Sequence, residues 1–558
     1  MKILILGGYG VFGGRLAELL ADLAGLELLI CGRHLASAEA FCARYHGAAR
    51  VTPLQLDRHD IAAALRAHAP DLVVDASGPF QDYGTNRYGV ITACIAAGVN
   101  YLDFADAADF VFGVPQFDDS AAAAGVFVLS GVSSFPVLTA AVLREMAKTM
   151  EIVAVDGGIA PSPYAGIGLN VMRAVVGYAG APVKLQRGGR QSHGIGLAES
   201  RRFTIAVPGH LPLRSIRFSL VDVPDLQVIP PDHPTLTDIW MGAGPVPEVL
   251  HRVLNLLAKA RARFALPSLV PLSRLFYTVL NLMKFGEHRG GMYVRARGTS
   301  DGAPIEQTWH LLAEGDDGPY IPSMAIEALI RQLIGGIRPA AGARSGAHAL
   351  DLADYDLLFR GRQITTGFRT EDSGANLYRR VLGSAYDALP AQVQQLHDSA
   401  APRRWSGQAE ITRGTSVLAR IIAAMVGFPK AGSAVPVSVT FTPDGASKGG
   451  GERWTRDFGG KRFTSHQSCG SGRNASLLVE RFGVAAFALA LVVEDGRLHL
   501  IPRRWSFLGI PMPQWLLPGG TSFETAEGGA FTFNVEITAP LAGLIVTYKG
   551  TLAPDALP

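Results

Sequence analysis

The chain has 558 residues, of which 48% are hydrophobic and 18% charged, a balance that suits a well-buried globular protein and excludes a disordered one. A formal net charge of +3 gives no electrostatic footprint for nucleic acid. Four cysteines, with no CxxC pair and no histidine cluster, exclude a zinc site and a disulfide framework.

No uninterrupted apolar run reaches the ~18 residues of a membrane span, and the length calls for about two to four domains. An apolar strand from residue 2 leaves no room for a signal peptide, and the cysteine usage fits a reducing cytoplasm. That first strand, Lys2-Ile3-Leu4-Ile5-Leu6, stops at Gly7-Gly8-Tyr9-Gly10-Val11-Phe12-Gly13. Leu16, Leu19, Leu20 and Leu23 then recur at helical spacing. A strand, a glycine turn and a helix are what a dinucleotide pyrophosphate needs, because backbone N–H groups at a helix start hold it and a Cβ there would keep it away. Gly7, Gly10 and Gly13 give GxxGxxG, while Gly8, Gly10 and Gly13 give GxGxxG; either register serves.

A second strand, 27–31, ends at Gly32-Arg33-His34. A carboxylate at this point would accept bonds from a ribose 2′-OH, whereas an arginine suits a 2′-phosphate. The carboxylate is missing and Arg33 is present, so NADP is expected over NAD. The third strand, 51–56, is closed by Asp57, which joins the cofactor-contacting set at the carboxyl edge. The fourth, 71–76, runs into Ser77-Gly78-Pro79-Phe80, expected beside the nicotinamide. Strands at 99–103 and 126–129 complete six, and their alternation with helices means a doubly wound parallel sheet.

GGYGVFG, the CGR after the second strand, ASGPFQDYG, CIAAGVNYLDFAD and GVSSFP together resemble the saccharopine dehydrogenase/reductase-like superfamily. EHRGGMYVRARG, TWHLLAEGDDGPYIPSMAIEALIRQL and GARSGAHALDL resemble the second domain of its bacterial oxidoreductase branch. The resemblance covers about residues 1–365 and implies a Rossmann domain (1–130), a mixed α/β second domain for substrate or dimerisation (131–365), and an NADP-type cofactor. It leaves the substrate open among imine or amino acid, carbonyl and enoyl classes. Relatives often end the fifth strand with Gly-Glu where this chain has Ala105-Asp106.

Residues 249–286 hold no acidic side chain. Arg252, Lys259, Arg261, Arg263, Arg274 and Lys284 are interleaved with leucines, and Pro267 and Pro271 break the run into a two-helix hairpin. Such a hairpin either packs on its own domain or a dimer partner, or lies weakly on a membrane surface. From residue 377 the texture changes. Helices at 377–398 and 416–426 flank short alternating segments at 407–412, 435–441, 452–458, 462–468, 477–482, 486–493, 497–507, 530–537 and 544–552, expected as a curved antiparallel sheet. GGERWTRDFGGKRFTS, PRRWSFLGIPMP and LAGLIVTYKGTL resemble a bacterial domain of unknown function (DUF4166-like), over about 377–554.

Hydride transfer asks mainly for cofactor placement and one proton donor. No lysine follows a tyrosine by four residues, and GxSxG, HExxH and P-loop signatures are absent, which removes the short-chain reductase, hydrolase and kinase readings. The proton-donor candidates are Tyr83, Asp103, Asp106, His310 and Tyr320, while Arg289 is a candidate for a substrate carboxylate. The expectation is an NADP(H)-dependent oxidoreductase; a non-catalytic NADP(H) sensor and a membrane-surface lipid-handling protein are the alternatives.

Overall fold

The computed structural model describes residues 1–166, 168–245, 247–372, 374–398, 401–444 and 450–555. Its contacts divide the chain into two units, Met1–Arg201 with Arg217–Thr366, and Arg202–Ile216 with Gly367–Pro558.

In the first unit, β1 (Lys2–Leu6), β2 (Glu27–Gly32), β3 (Arg50–Gln55), β4 (Leu72–Asp75), β5 (Asn100–Asp103) and β6 (Phe127–Ser130) pair in the order 3-2-1-4-5-6. Every pairing is parallel. Ile3, Leu4, Ile5, Leu28, Ile30, Val73 and Val74 are buried whichever face they point to. Helices therefore cover both sides, which is why these strands read as unbroken apolar runs.

A seventh strand, Gly342–Ser345, adds in parallel to β6. The helix Ile321–Ile334 returns with it and packs on α1 (Val11–Leu19). Arg331 donates to Asp22 (2.8 Å) and to the Leu19 carbonyl (3.0 Å), and Ser323 Oγ donates to the Phe12 carbonyl (3.2 Å). The stretches expected as separate domains, 1–130 and 131–365, are thus woven into one unit.

Between β6 and this return lies a mixed sheet centred on Glu151–Ala160, which pairs in parallel with Asp238–Ala243 and antiparallel with Arg289–Ser300; the last forms a hairpin with Ala303–Glu314. Helices Glu248–Phe264 and Ser273–Leu282 form the expected basic hairpin. Its inner face packs with Met172 and Val176 of the helix Leu169–Tyr178.

The second unit is an antiparallel sheet that closes on itself, where a curved sheet was expected. Ten strands run from Ala485–Glu494 around to Arg497–Phe507, and these two pair to complete a ring. One of the ten, Phe523–Glu527, has no counterpart in the sequence reading. The expected helix at 377–398 is split into Leu377–Leu382, a tighter turn Gly383–Ala388 and Ala391–His397, since Gly383 takes φ +63° and Leu389, ahead of Pro390, is held extended. Helix Val417–Val426 is capped by Ser416, whose Oγ accepts from the Ala419 N–H at 3.0 Å. Residues 202–216 belong to this unit. The Gly209 carbonyl accepts from the Val493 N–H at 2.8 Å, and Leu211 packs on Leu477, Ala488 and Ala490 of the barrel.

Candidate functional site

The glycine turn lies where β1 and β4 diverge, the switch point at which ligands bind in such sheets. Gly7 has φ +73°, and a Cβ on it would stand 2.6 Å from the Ala76 carbonyl oxygen. A Cβ on Gly13 would stand 2.5 Å from the Gly7 oxygen, so these two positions exclude side chains on internal grounds. Gly10 differs. It is the N-cap of α1, its N–H donates to the Gly7 carbonyl (2.8 Å), and a Cβ there meets the turn only at that oxygen (3.0 Å) and otherwise faces open space. With no side chain at the cap, the first N–H groups of α1 are left for an outside acceptor. A dinucleotide pyrophosphate fits this cradle.

Around it, Gly8 donates to the Cys31 carbonyl (2.9 Å), tying the turn to the end of β2. The Tyr9 ring lies over Gly32, and its hydroxyl accepts from the His34 N–H (3.2 Å). Arg33 is exposed beside them, and among the described residues its side chain enters no ion pair. Asp57 ends the strand edge as a cap, its Oδ1 accepting from the His59 N–H (3.0 Å). The Gly78 carbonyl accepts from Asn170 Nδ2 (2.8 Å), and Phe80 is buried against Tyr83 and Phe110. The structure thus gathers Gly7–Gly13, Arg33, Asp57 and Ser77–Phe80 along the carboxyl edge of one sheet.

The proton-donor candidates separate. Tyr83 is drawn into the fold: its hydroxyl is 2.7 Å from Ser77 Oγ, Arg58 covers its ring at 3.5 Å, and burial pushes its pKa up. Asp103 is fully buried and holds a turn. It accepts from the Ala105 N–H (2.9 Å), the Gly131 N–H (2.7 Å) and Ser130 Oγ (2.8 Å), and burial still pushes its pKa up to about 7. His310 is buried on Ala303–Glu314; its strand neighbours Leu311 and Ala313 face the cavity described below, and alternation turns His310 to the other face. Tyr320 donates to Glu18 (2.8 Å) outside the cavity, its pKa pushed up to about 12 chiefly by burial. Arg289 is engaged by Glu287 and by Glu314 (3.5 Å).

Asp106 is the candidate that reaches open space. It lies just past the end of β5, accepts from Gln81 Nε2 (3.2 Å), and borders a cavity of ≈390 Å³ beside Val11 and Phe12. Burial raises its pKa. The rest of the wall is largely apolar, with Phe135, Met172, Leu254, Phe276, Leu280 and Met292 prominent. Five polar wall residues went unnoticed in the sequence, Arg15, Ser134, Ser162, Tyr178 and His251; Arg15 is turned to the Pro319 and Ala165 carbonyls (3.1 Å each). Burial raises the Tyr178 pKa, with Asp106 and Asp222 adding to it. His251 is buried on the hairpin, held neutral with its pKa near 4 by burial, and neither ring nitrogen makes a well-formed hydrogen bond. The only signal for it was a lone histidine between Leu250 and Leu254 on an apolar helical face.

A parallel sheet of this order with a glycine turn at its switch point defines a Rossmann-type dinucleotide-binding domain. Residues 3–153 match the family described as saccharopine dehydrogenase NADP binding domain, and residues 389–552 match a domain of unknown function (DUF4166). The chain therefore carries, over residues 3–153, a saccharopine dehydrogenase-type NADP-binding domain, the nucleotide-binding domain of an oxidoreductase. Among solved structures it is similar to saccharopine dehydrogenase (L-Glu forming) of Saccharomyces cerevisiae, with 13% identity and a TM-score of 0.46, over 66% of this chain and 100% of that one. It is also similar to amine dehydrogenase of Mycobacterium smegmatis, with 11% identity and a TM-score of 0.32, over 61% of this chain and 94% of that one. Among curated proteins, none matches. No described helix is long and apolar enough to cross a membrane.

Proposed function

We propose that the protein is an NADP(H)-dependent oxidoreductase whose substrate is an apolar molecule carrying a polarised double bond. The observation behind this reading is the cavity. It abuts the start of α1, and one carboxyl group, Asp106, borders it among mostly hydrocarbon walls. When bound, NADPH supplies a hydride.

The chain's own residues do the rest. The N–H groups opening α1 and the small turn at Gly10 seat the pyrophosphate. Arg33, at the end of β2, would hold the 2′-phosphate, and Ser77–Phe80 would border the nicotinamide. The apolar walls exclude water and select a substrate of like character. Asp106, raised by burial and therefore more readily protonated, gives the proton that completes reduction.

The hairpin roofs this cavity with Leu250, Leu254, Phe276 and Leu280. Its outer side leaves Val253, Leu256, Leu275 and Leu282 exposed. Arg252 pairs with Glu248 and Arg261 caps the helix Leu169–Tyr178, while Lys259, Arg263, Arg274 and Lys284 enter no ion pair among the described residues. A roof that is apolar on both sides suits delivery of substrate from a lipid interface.

The test uses NADPH deuterated at C4, incubated with the protein and a whole-cell extract partitioned afterwards into lipid and aqueous phases. Enzyme-dependent deuterium in the lipid phase is expected. Deuterium confined to water-soluble molecules would overturn the apolar assignment, and no transfer to either phase would overturn the catalytic one.

A further inference from the structure

The barrel of the second unit is hollow. Its interior holds a cavity of ≈730 Å³, within the range of about 300–1,000 Å³ that ligand pockets occupy. All ten strands of the ring are antiparallel, and alternate residues point inward. Phe441, Phe458, Phe482, Phe487, Phe531 and Phe533 supply much of the wall.

The charged groups inside are paired with one another, and of the His397 ring only Nδ1 is left without a partner. Arg456 pairs with Glu480 (3.0 Å), to which Ser465 Oγ also donates (2.6 Å). Tyr378 donates to Gln467 (2.9 Å), and His397, stacked on Tyr378 with ring centroids 3.5 Å apart, pairs with Glu524. These contacts gather polar groups of the wall with Tyr378 and His397 of the helices that pack on the barrel. No charge in this cluster is left for a ligand, so what enters must be hydrocarbon.

Elsewhere the lining itself comes to the surface. Met425, Val484 and Phe507 border the cavity yet are exposed to 79%, 49% and 41%. Met425 lies on the helix Val417–Val426, whose Val417, Leu418 and Ile421 are exposed as well, with Arg420 its only charged residue. The seam on the other side of Arg497–Phe507 is thin. Arg497–Phe507 pairs with Phe523–Glu527 at only two registers, and Pro518, Gly519 and Gly520 border the cavity past the point where that pairing ends.

A dry interior with a greasy, partly unzipped mouth is the form of a site for a chain drawn from a lipid phase. We infer that the barrel binds a single-chain amphiphile, its aliphatic tail inside and its headgroup left at the mouth beside Met425, Val484 and Phe507. This is a second ligand site, independent of the dinucleotide.

The test uses the full-length protein and a palmitic acid bearing a diazirine near the tail end. After irradiation, peptides are mapped by mass spectrometry. Saturable labelling is expected in the strands Ala485–Glu494 and Ala530–Ala539, competed by unlabelled palmitate. Leu500→Trp and Val535→Trp, which fill the cavity, should lower it about tenfold without altering NADPH binding. Met425→Glu, at a surface position that costs the fold little, should lower it by a comparable factor and covers the case in which a filled barrel does not fold. Labelling confined to the hairpin Glu248–Leu282, labelling that does not saturate, or labelling unchanged in Met425→Glu would overturn the assignment.

Discussion

Substituting Gly10 by alanine separates the turn's two duties, holding the fold and admitting a phosphate. Its backbone angles, φ −76° and ψ 179°, are open to any residue. A Cβ there meets only the Gly7 oxygen, at 3.0 Å, which asks for a shift of a few tenths of an ångström. Alanine gains about 0.4–1 kcal/mol by restricting the unfolded chain and loses a comparable amount as a poorer N-cap than glycine. Folding stability should therefore stay within about 1 kcal/mol of wild type.

The same methyl group occupies the approach to the α1 N–H groups. Displacing the pyrophosphate forfeits one or two charge-assisted hydrogen bonds, each contributing about 1.5–3 kcal/mol, and NADPH affinity should fall at least about tenfold. Gly13→Ala is the contrast, because its Cβ would lie 2.5 Å from the Gly7 oxygen and 2.9 Å from the Gly8 Cα, so stability and binding should fall together. Urea denaturation followed by tryptophan fluorescence gives the first quantity and titration of NADPH fluorescence the second. If Gly10→Ala binds NADPH like wild type, the turn does not hold the pyrophosphate and the cofactor placement fails.

Arg33→Ala should weaken NADPH about tenfold or more, one lost phosphate contact, and leave NADH unchanged; equal losses for both would place the 2′-phosphate elsewhere. Asp106→Asn should lower kcat about a hundredfold with NADPH affinity intact. Because burial raises the Asp106 pKa, the wild-type rate should persist to a higher pH than an ordinary carboxyl allows and decline as pH rises through that pKa, a limb the variant should lack. The hairpin's outer face should carry the protein down with anionic liposomes at low salt and release it at high salt, each unpaired cation contributing about 1 kcal/mol near the surface; Leu256→Glu, at an exposed position, should abolish co-sedimentation, and an unchanged pellet would show that another surface binds.

The inner strands of the nucleotide-binding sheet were legible because burial on both faces writes itself as apolar runs, whereas the edge strand β3, only half-buried, was read from its position in the alternation of strands and helices. Gly342–Ser345 was not. Its sequence, Gly-Ala-Arg-Ser, has no apolar run, and only pairing with β6 makes it a strand. Phe523–Glu527 was hidden for a related reason, since Glu524 points into the barrel toward His397 where the pattern leads one to expect a hydrophobe. Its pairing with Arg497–Phe507 joins segments that no local signal brings together. At the site, the glycines and Arg33 carry their chemistry in their identity and position. Asp103 drew attention as a carboxylate at a strand end, but its oxygens are taken up by neighbouring turns. Tyr178 and His251 looked like ordinary helix residues until the hairpin folded over Leu169–Tyr178 and made them a wall.

The seventh strand also sets a schedule for the chain's synthesis. β6 is complete at Ser130, but its outer neighbour begins at Gly342, about 210 residues and, at about 5–20 residues per second, about 10–40 seconds of translation later. Until then β6 is an open edge whose unpaired N–H and C=O groups can recruit any passing strand. Closing a loop of that length costs about 5 kcal/mol of chain entropy before the last pairing returns anything. The helix Ile321–Ile334, threaded immediately ahead of Gly342 and seated on α1 through Arg331 and Ser323, shortens that search by docking the arriving segment first. A nascent chain stalled between the emergence of β6 and that of this helix should sit on the ribosome with its dinucleotide domain assembled but unsealed, the interval in which a chaperone has most to protect.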